Sequence, residues 1–282
     1  MWLILWLAVS FLAPVQEPPA PAAAQAAQPP QQTTTSKVWI GRYAEFEEFI
    51  LTAKIESLKR IAVGVTAPRH AYFAPGGLTG GVAVKDLKPG KKEGFWESYK
   101  SEIAAYKLDR LLELDMVPPT VERKVEGNLV SVQVWIDETI MLKDVQERKL
   151  HSPDPAGWNR QLHRAYVFDD LISNIDENAG NLLFDRQWNF IKVDHSRAFT
   201  DSLSLPFPVG QEGGRGVVRI DRPFFERIKA LDRATVAREI GNLLEGNCLP
   251  ALFSRRDKIV KQFEELAKKK GEAQVFESWP DR

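Results

Sequence analysis

Over residues 46–59 apolar side chains fall at Phe46, Phe49, Ile50 and Ala53, a three-to-four spacing that predicts an amphipathic helix. The pattern then shifts toward alternation. Residues 61–65 and 70–73 read as short strands around a Thr66-Ala67-Pro68-Arg69 turn, and 81–85 as a strand entered from a Pro-Gly-Gly turn. Residues 88–94, rich in Lys and Gly, read as a loop. Helical spacing returns over 97–114, with Tyr99, Ile103 and Tyr106 on one face and Pro118-Pro119 as the stop. Residues 120–125 and 129–135 flank Glu126-Gly127-Asn128, a hairpin signal. Beyond Ile136 helices dominate, at 157–173, 223–231, 233–244 and 251–270. They are interrupted by a small hairpin, 181–184 with 190–193, and by the Pro/Gly-containing loop 202–215. A β-rich first half joined to a mostly helical second half predicts an α+β fold of two lobes with a cleft between them.

The N-terminus departs from this pattern. Residues 2–13 form an apolar run of signal-peptide length, too short for a membrane span, and no Lys or Arg precedes it. A Pro/Ala/Gln stretch (14–32) and the Thr/Ser segment 33–36 follow, with no means of forming a core. The expected organisation is a leader and linker over 1–36, a first lobe over 37–136 and a second over 137–282. The protein is expected to be exported or membrane-associated through the leader alone, with a cytoplasmic protein as the alternative. The 38 Lys and Arg balance 38 Asp and Glu, which speaks against a nucleic-acid partner. One cysteine, Cys248, excludes an internal disulfide or a cysteine zinc site. Its neighbours Leu244, Leu249 and Leu252 mark it as a small buried hydrophobe.

Candidate chemistry concentrates between Asn174 and Phe199, where Asp176, Asn181 and Asp194 stand five and then thirteen positions apart. Phosphoryl transfer needs a carboxylate to orient the attacking hydroxyl, and an amide oxygen with a second carboxylate to hold Mg²⁺ on the nucleotide phosphates. Asp194 ends the apolar strand Phe190-Ile191-Lys192-Val193, a costly place for a carboxylate without a metal or donor. The predicted hairpin would bring Asn181 and Asp194 together at its open end. Upstream, Lys85 closes a strand and Glu102 lies on the next helix, a pairing that would set the lysine on the phosphates, with Glu97 as the alternative partner. Gly64 and Thr66, in the turn between the first strands, could cradle phosphate oxygens. Val134 and Trp135 would offer a backbone edge to adenine. His163 and His195 lack ligand spacing and read as core or hydrogen-bonding residues.

With these residues the chain resembles the atypical branch of the protein-kinase-like superfamily. That branch includes the phosphoinositide 3-/4-kinase group, the HipA-type kinases and the secretory-pathway protein kinases. An Asp-x-x-x-x-Asn loop after a helix, trailed by a metal-binding Asp, corresponds to Asp176, Asn181 and Asp194, and the strand lysine and helix glutamate to Lys85 and Glu102. The resemblance implies one kinase-like domain binding ATP and Mg²⁺, an ATP-dependent phosphotransferase with Asp176 as the catalytic carboxylate. Its departures are Asn174-Ile175 where protein kinases have His-Arg, Glu177-Asn178 where phosphoinositide kinases have Arg-His, and His195-Ser196 where Phe-Gly follows the metal Asp. They leave the acceptor, whether protein, lipid or small molecule, unnamed. The alternatives are a nucleotide-binding pseudokinase scaffold and a non-kinase envelope protein whose acidic loop binds a cation.

Overall fold

The alternating segments of the first half pair into an antiparallel sheet. In chain order the first elements are α1 (Tyr43–Thr52), β1 (Ile55–Arg60), β2 (Arg69–Phe73), β3 (Gly81–Lys85), β4 (Gly90–Lys92), β5 (Phe95–Glu97), α2 (Tyr99–Leu111), β6 (Thr120–Val125) and β7 (Asn128–Val134). Then come β8 (Ile140–Met141), α3 (Leu142–Glu147), α4 (Pro155–Ile172), β9 (Leu182–Phe184) and β10 (Phe190–Lys192). The chain closes with β11 (Ile220–Asp221), α5 (Arg222–Ala230), α6 (Arg233–Ile240), α7 (Cys248–Lys270), α8 (Glu272–Val275) and β12 (Phe276–Glu277). The computed structural model describes residues 37–61, 68–210 and 216–278. Among them no helix is long and apolar enough to cross a membrane.

The five-stranded sheet has the order β1-β2-β3-β7-β6. Directly paired residues share a face, so register sorts the side chains. Val82 pairs Val134 and Val84 pairs Val132, and these valines meet Trp39, Phe46 and Ile50 in one core. The opposite face carries His70, Ala83 and Gln133 in one row and Lys85 beside Ser131. A second core gathers Phe168, Leu171 and Ile172 of α4 with Phe190, Phe199, Phe224 and Phe263. Side-chain caps set the entries of α2 and α4. Ser98 accepts from Lys100 N (3.1 Å) at α2, and Asp154 accepts from Gly157 N (2.9 Å) at α4, with Pro155 following.

Two expectations fail locally. The helix expected over 46–59 stops at Thr52, and 55–60 form β1. Ile55 and Leu58 pack against the sheet core and the backbone pairs with β2, a non-local gain that helical spacing does not register. The loop expected over 88–94 holds the first strand of the hairpin β4–β5, which pairs Lys92 with Phe95 and takes in Glu97, so the helix expected from 97 begins only after Ser98. Lysines and glycines conceal it because neither marks an alternating strand. The strand expected over 61–65 and the turn with Gly64 and Thr66 fall largely outside the described residues.

Two buried carboxyls off the cleft make stability pH-dependent. Burial pushes Asp109 up to about 7, although its Oδ1 accepts from Met116 N (3.1 Å) and Val117 N (3.3 Å). Burial likewise pushes Asp170 up to about 8, with Phe207 N donating to it at 2.6 Å. A raised carboxyl favours the protonated folded state. Its contribution is therefore complete below the unfolded value of about 3.9 and is lost as pH rises through the folded value. The melting temperature is expected to fall between about pH 5 and pH 8.5. Asp109→Asn keeps an acceptor oxygen and should flatten the part near neutrality; a wild-type melting profile flat across this range would refute the expectation.

Candidate active site

Strand alternation turns Lys85 away from the valine core and toward α2. Its Nζ donates to Glu102 Oε1 at 2.5 Å and to Asp194 Oδ1 at 2.7 Å. The other Glu102 oxygen accepts from His195 N at 3.0 Å, so one carboxylate ties β3, α2 and the segment after β10. Burial alone would raise the Glu102 pKa, but Lys85 and the His195 contact outweigh it and bring it down to about 2. Burial disfavours the Lys85 ammonium, yet Asp194 and Glu102 hold its pKa above the ordinary lysine range. A buried pair of this kind is evidence of fixed geometry more than of stability.

The hairpin β9–β10 delivers the metal candidates. Val193 N donates to Asn181 O at 3.2 Å, which closes the register so that Asn181 and Asp194 emerge at the same open end. Asp194 adopts φ +64°, a left-handed conformation that Asp tolerates better than most residues. Ser196 Oγ donates to its Oδ1 at 3.0 Å, and its side chain is 26% exposed.

Asp176 sits in the loop after α4. The helix stops at Ser173, in the left-handed region at φ +53°, and Asn174 N returns to Asp169 O at 2.9 Å. The Asp176 carbonyl accepts from Asn178 Nδ2 (3.1 Å) and Asn181 Nδ2 (3.4 Å), and Asn178 Oδ1 accepts from Gly180 N (2.9 Å). With its Nδ2 spent, Asn181 has its amide oxygen left for a cation. Burial raises the Asp176 pKa, opposed by Arg197. Arg197 Nη1 donates to Asp176 Oδ2 at 3.2 Å.

Beneath the loop lies a buried polar cluster. Lys192 Nζ contacts Glu177 and lies 2.9 Å from Asp169 Oδ1, while Asn174 Nδ2 donates to Asp169 Oδ1 (2.8 Å) and Glu177 Oε2 (3.3 Å). Burial pushes Asp169 up to about 8 against the pull of Lys192. Burial would discharge Lys192 as well, but the two carboxyls raise its pKa. One ammonium thus serves two carboxyl groups.

Lys85, Glu102 and Asp194 meet directly, and Asn181 and Asp176 converge on the same loop and hairpin end. The alternative lysine partner, Glu97, turns to Arg197 instead. Gly64 and Thr66 lie outside the described residues. Val134 and Trp135 border a cavity of about 420 Å³ at the end of β7, with Val38, the Gly77–Gly80 turn, Ile136–Glu138 and Asp185–Gln187 as its other walls. Their amides are spent, Val134 N on Pro119 O (2.9 Å) and Trp135 N on Gly81 O (3.1 Å). Lys85, Asp176, Asn181 and Asp194 are not in its walls, so this hollow alone does not define the site. The Trp135 ring stacks on His70 (4.2 Å between centroids), which stacks on Tyr72 (4.0 Å). His195 is buried, and burial pushes its imidazole below the ordinary histidine range. Cys248 is buried and its thiol pushed up by burial, as a small hydrophobe should be.

Sequence reasoning missed Arg197 and the Asp169–Lys192–Glu177 cluster. The signal available for the cluster was Lys192 itself, a charge inside an otherwise apolar strand.

No family model matches the chain, and no curated protein does. Solved structures do. A Golgi casein kinase crystallised with Mn/ADP bound superposes with a TM-score of 0.63 at 15% identity, over 85% of this chain and 80% of that one. Hydra Fam20 with sugar gives 0.62 at 15% identity, over 84% and 92%. The Helicobacter pylori proinflammatory kinase CtkA gives 0.50 at 12% identity, over 80% and 94%. The chain has an atypical protein-kinase-like fold, with a sheet-rich N-terminal part and a mostly helical C-terminal part.

Proposed function

We propose that the chain is a metal-dependent kinase that moves the γ-phosphoryl group of ATP to an acceptor hydroxyl. The observation that carries this is Lys85 Nζ held between Glu102 Oε1 (2.5 Å) and Asp194 Oδ1 (2.7 Å) beside the open end of the Asn181 hairpin. The Mn/ADP-bound Golgi casein kinase, similar in fold, supports the same reading.

The donor set suits a divalent cation bound together with a nucleotide. Among the described residues no three His, Cys, Asp or Glu side chains gather as a protein cage. Mg²⁺ needs none, since it keeps waters and shares substrate phosphates with one or two carboxylates. Asp194 and the Asn181 amide oxygen would hold it, and it would neutralise phosphate charge. Lys85, fixed by Glu102, would bind phosphate oxygens. Asp176 would orient the acceptor: the acceptor oxygen bonds to the γ-phosphorus, the bond to the ADP oxygen breaks, and the hydroxyl proton passes to the Asp176 carboxylate and on to solvent. With the Val134 and Trp135 amides committed to the sheet, the adenine edge would fall to the 136–138 linker.

The test is thermal unfolding with ATP alone, with Mg²⁺ or Mn²⁺ alone, and with both, followed by mass spectrometry of the products. Stabilisation that needs nucleotide and cation together, with a phosphoryl product, is the expected result. Stabilisation by the cation alone would reject the kinase. Binding without any product would mark a pseudokinase, and an AMP adduct would replace phosphoryl by nucleotidyl transfer.

A further inference from the structure

We propose that Arg197 is a positioning residue for Asp176, itself held by Glu97 at the end of the β4–β5 hairpin; this rests on the kinase reading. The Arg197 guanidinium makes a fork. Nε and Nη2 donate to Glu97 Oε1 at 2.9 and 2.6 Å, and Nη1 donates to Asp176 Oδ2 at 3.2 Å. Its flat face lies 4.4 Å from the centre of the Phe95 ring on the same hairpin. The Glu97 end is the anchored one, since those side chains are only 4% and 13% exposed. The backbone reinforces it: Ser98 N donates to Ser196 O at 2.9 Å, and Ser101 Oγ to Ala198 O at 3.2 Å.

The Asp176 end is different in kind. That side chain is 40% exposed, and an ion pair there contributes little to stability. Its value is geometric. The Asp176 backbone is tied by Asn178 and Asn181, but those bonds reach its carbonyl and leave the carboxylate free to rotate. One N–H on Oδ2 stops that rotation and leaves Oδ1 for the acceptor hydroxyl. Arginine suits the task because its planar fork reaches two carboxylates from one rigid group. Glu97 comes from the sheet-bearing part and Asp176 from the helical part, so the fork also ties the position of the catalytic carboxylate to that of the N-terminal hairpin.

The experiment uses water as the acceptor and follows ATP hydrolysis with Mg²⁺ or Mn²⁺ by the full chain. Arg197→Ala is expected to lower kcat about 10–100-fold, as loss of an orienting partner does, with the nucleotide KM changed less than about twofold. Glu97→Gln should move kcat the same way by a smaller factor, and added guanidinium should restore part of the Arg197→Ala loss. A kcat kept within about twofold in Arg197→Ala would overturn the proposal. So would a loss that appears only in nucleotide KM and melting temperature and is not rescued by guanidinium, since that describes a structural tie. A wild-type protein with no turnover defeats the kinase itself, whereas wild-type turnover with an indifferent Arg197→Ala defeats only the role of Arg197.

Discussion

Asp194→Asn is expected to lower ATP turnover about 10³-fold while leaving the melting temperature at or slightly above the wild-type value. On the proposed reading the two effects separate because the site meets charge that arrives with the substrate. In the structure two carboxyl groups, Glu102 and Asp194, meet the one ammonium of Lys85. Removing the Asp194 charge balances that cluster, so folding loses little, but the proposed nucleotide-bound cation would lose its carboxylate ligand. Asn is the better replacement than Ala because the position has φ +64°, which Asn adopts more readily than Ala. Steady-state hydrolysis and thermal unfolding of the same preparation decide the matter. Turnover retained within about tenfold would remove Asp194 from the metal site, and a collapse of the melting temperature would make it a structural residue.

Lys192→Met should do the reverse, costing about 3–5 kcal/mol of stability, the usual penalty for stripping one partner from a buried ion pair. For a domain of this size that is roughly 10 °C in melting temperature. Methionine matches the length of the lysine stem, so the loss comes from charge. Asp169 and Glu177 remain buried and lose the ammonium that bridges them. To stay folded the variant must take up protons on these carboxyls, and by linkage its deficit is smaller at pH 5 than at pH 8. The Asp176 loop should loosen too, because Glu177 adjoins Asp176 and Asn174 hangs from the same cluster. A melting temperature within about 2 °C of wild type at pH 8 would show that the cluster bears no such weight.

Much of the site was legible because it is local. Lys85 at the end of β3 and Glu102 in the first turn of α2 are 17 residues apart, with the β4–β5 hairpin between them, and strand alternation and helix phase let them pair at 2.5 Å. The five-residue spacing of Asp176 and Asn181 sits on a single turn, and a short hairpin is enough to bring Asp194 back to Asn181. The β4–β5 hairpin was hidden by its lysines and glycines, and β1 by the helical spacing just before it.

What the chain determines by itself is most of the longer elements and the candidate residues at their ends, since both are written in periodicities shorter than a few turns. The tertiary structure decided which charges meet. Glu97 and Arg197 are 100 residues apart, and the local pattern favours Glu102 as the partner of Lys85 but leaves Glu97 as an alternative. The choice falls out of packing: Ser98 caps α2 after β5, Glu102 then faces β3 from the first turn of the helix, and Glu97 is left on the strand beside the 194–198 segment. Burial decided the rest. Lys192 is a charge in an apolar strand until Asp169 and Glu177 close over it, and only a folded interior makes that triad costly to break.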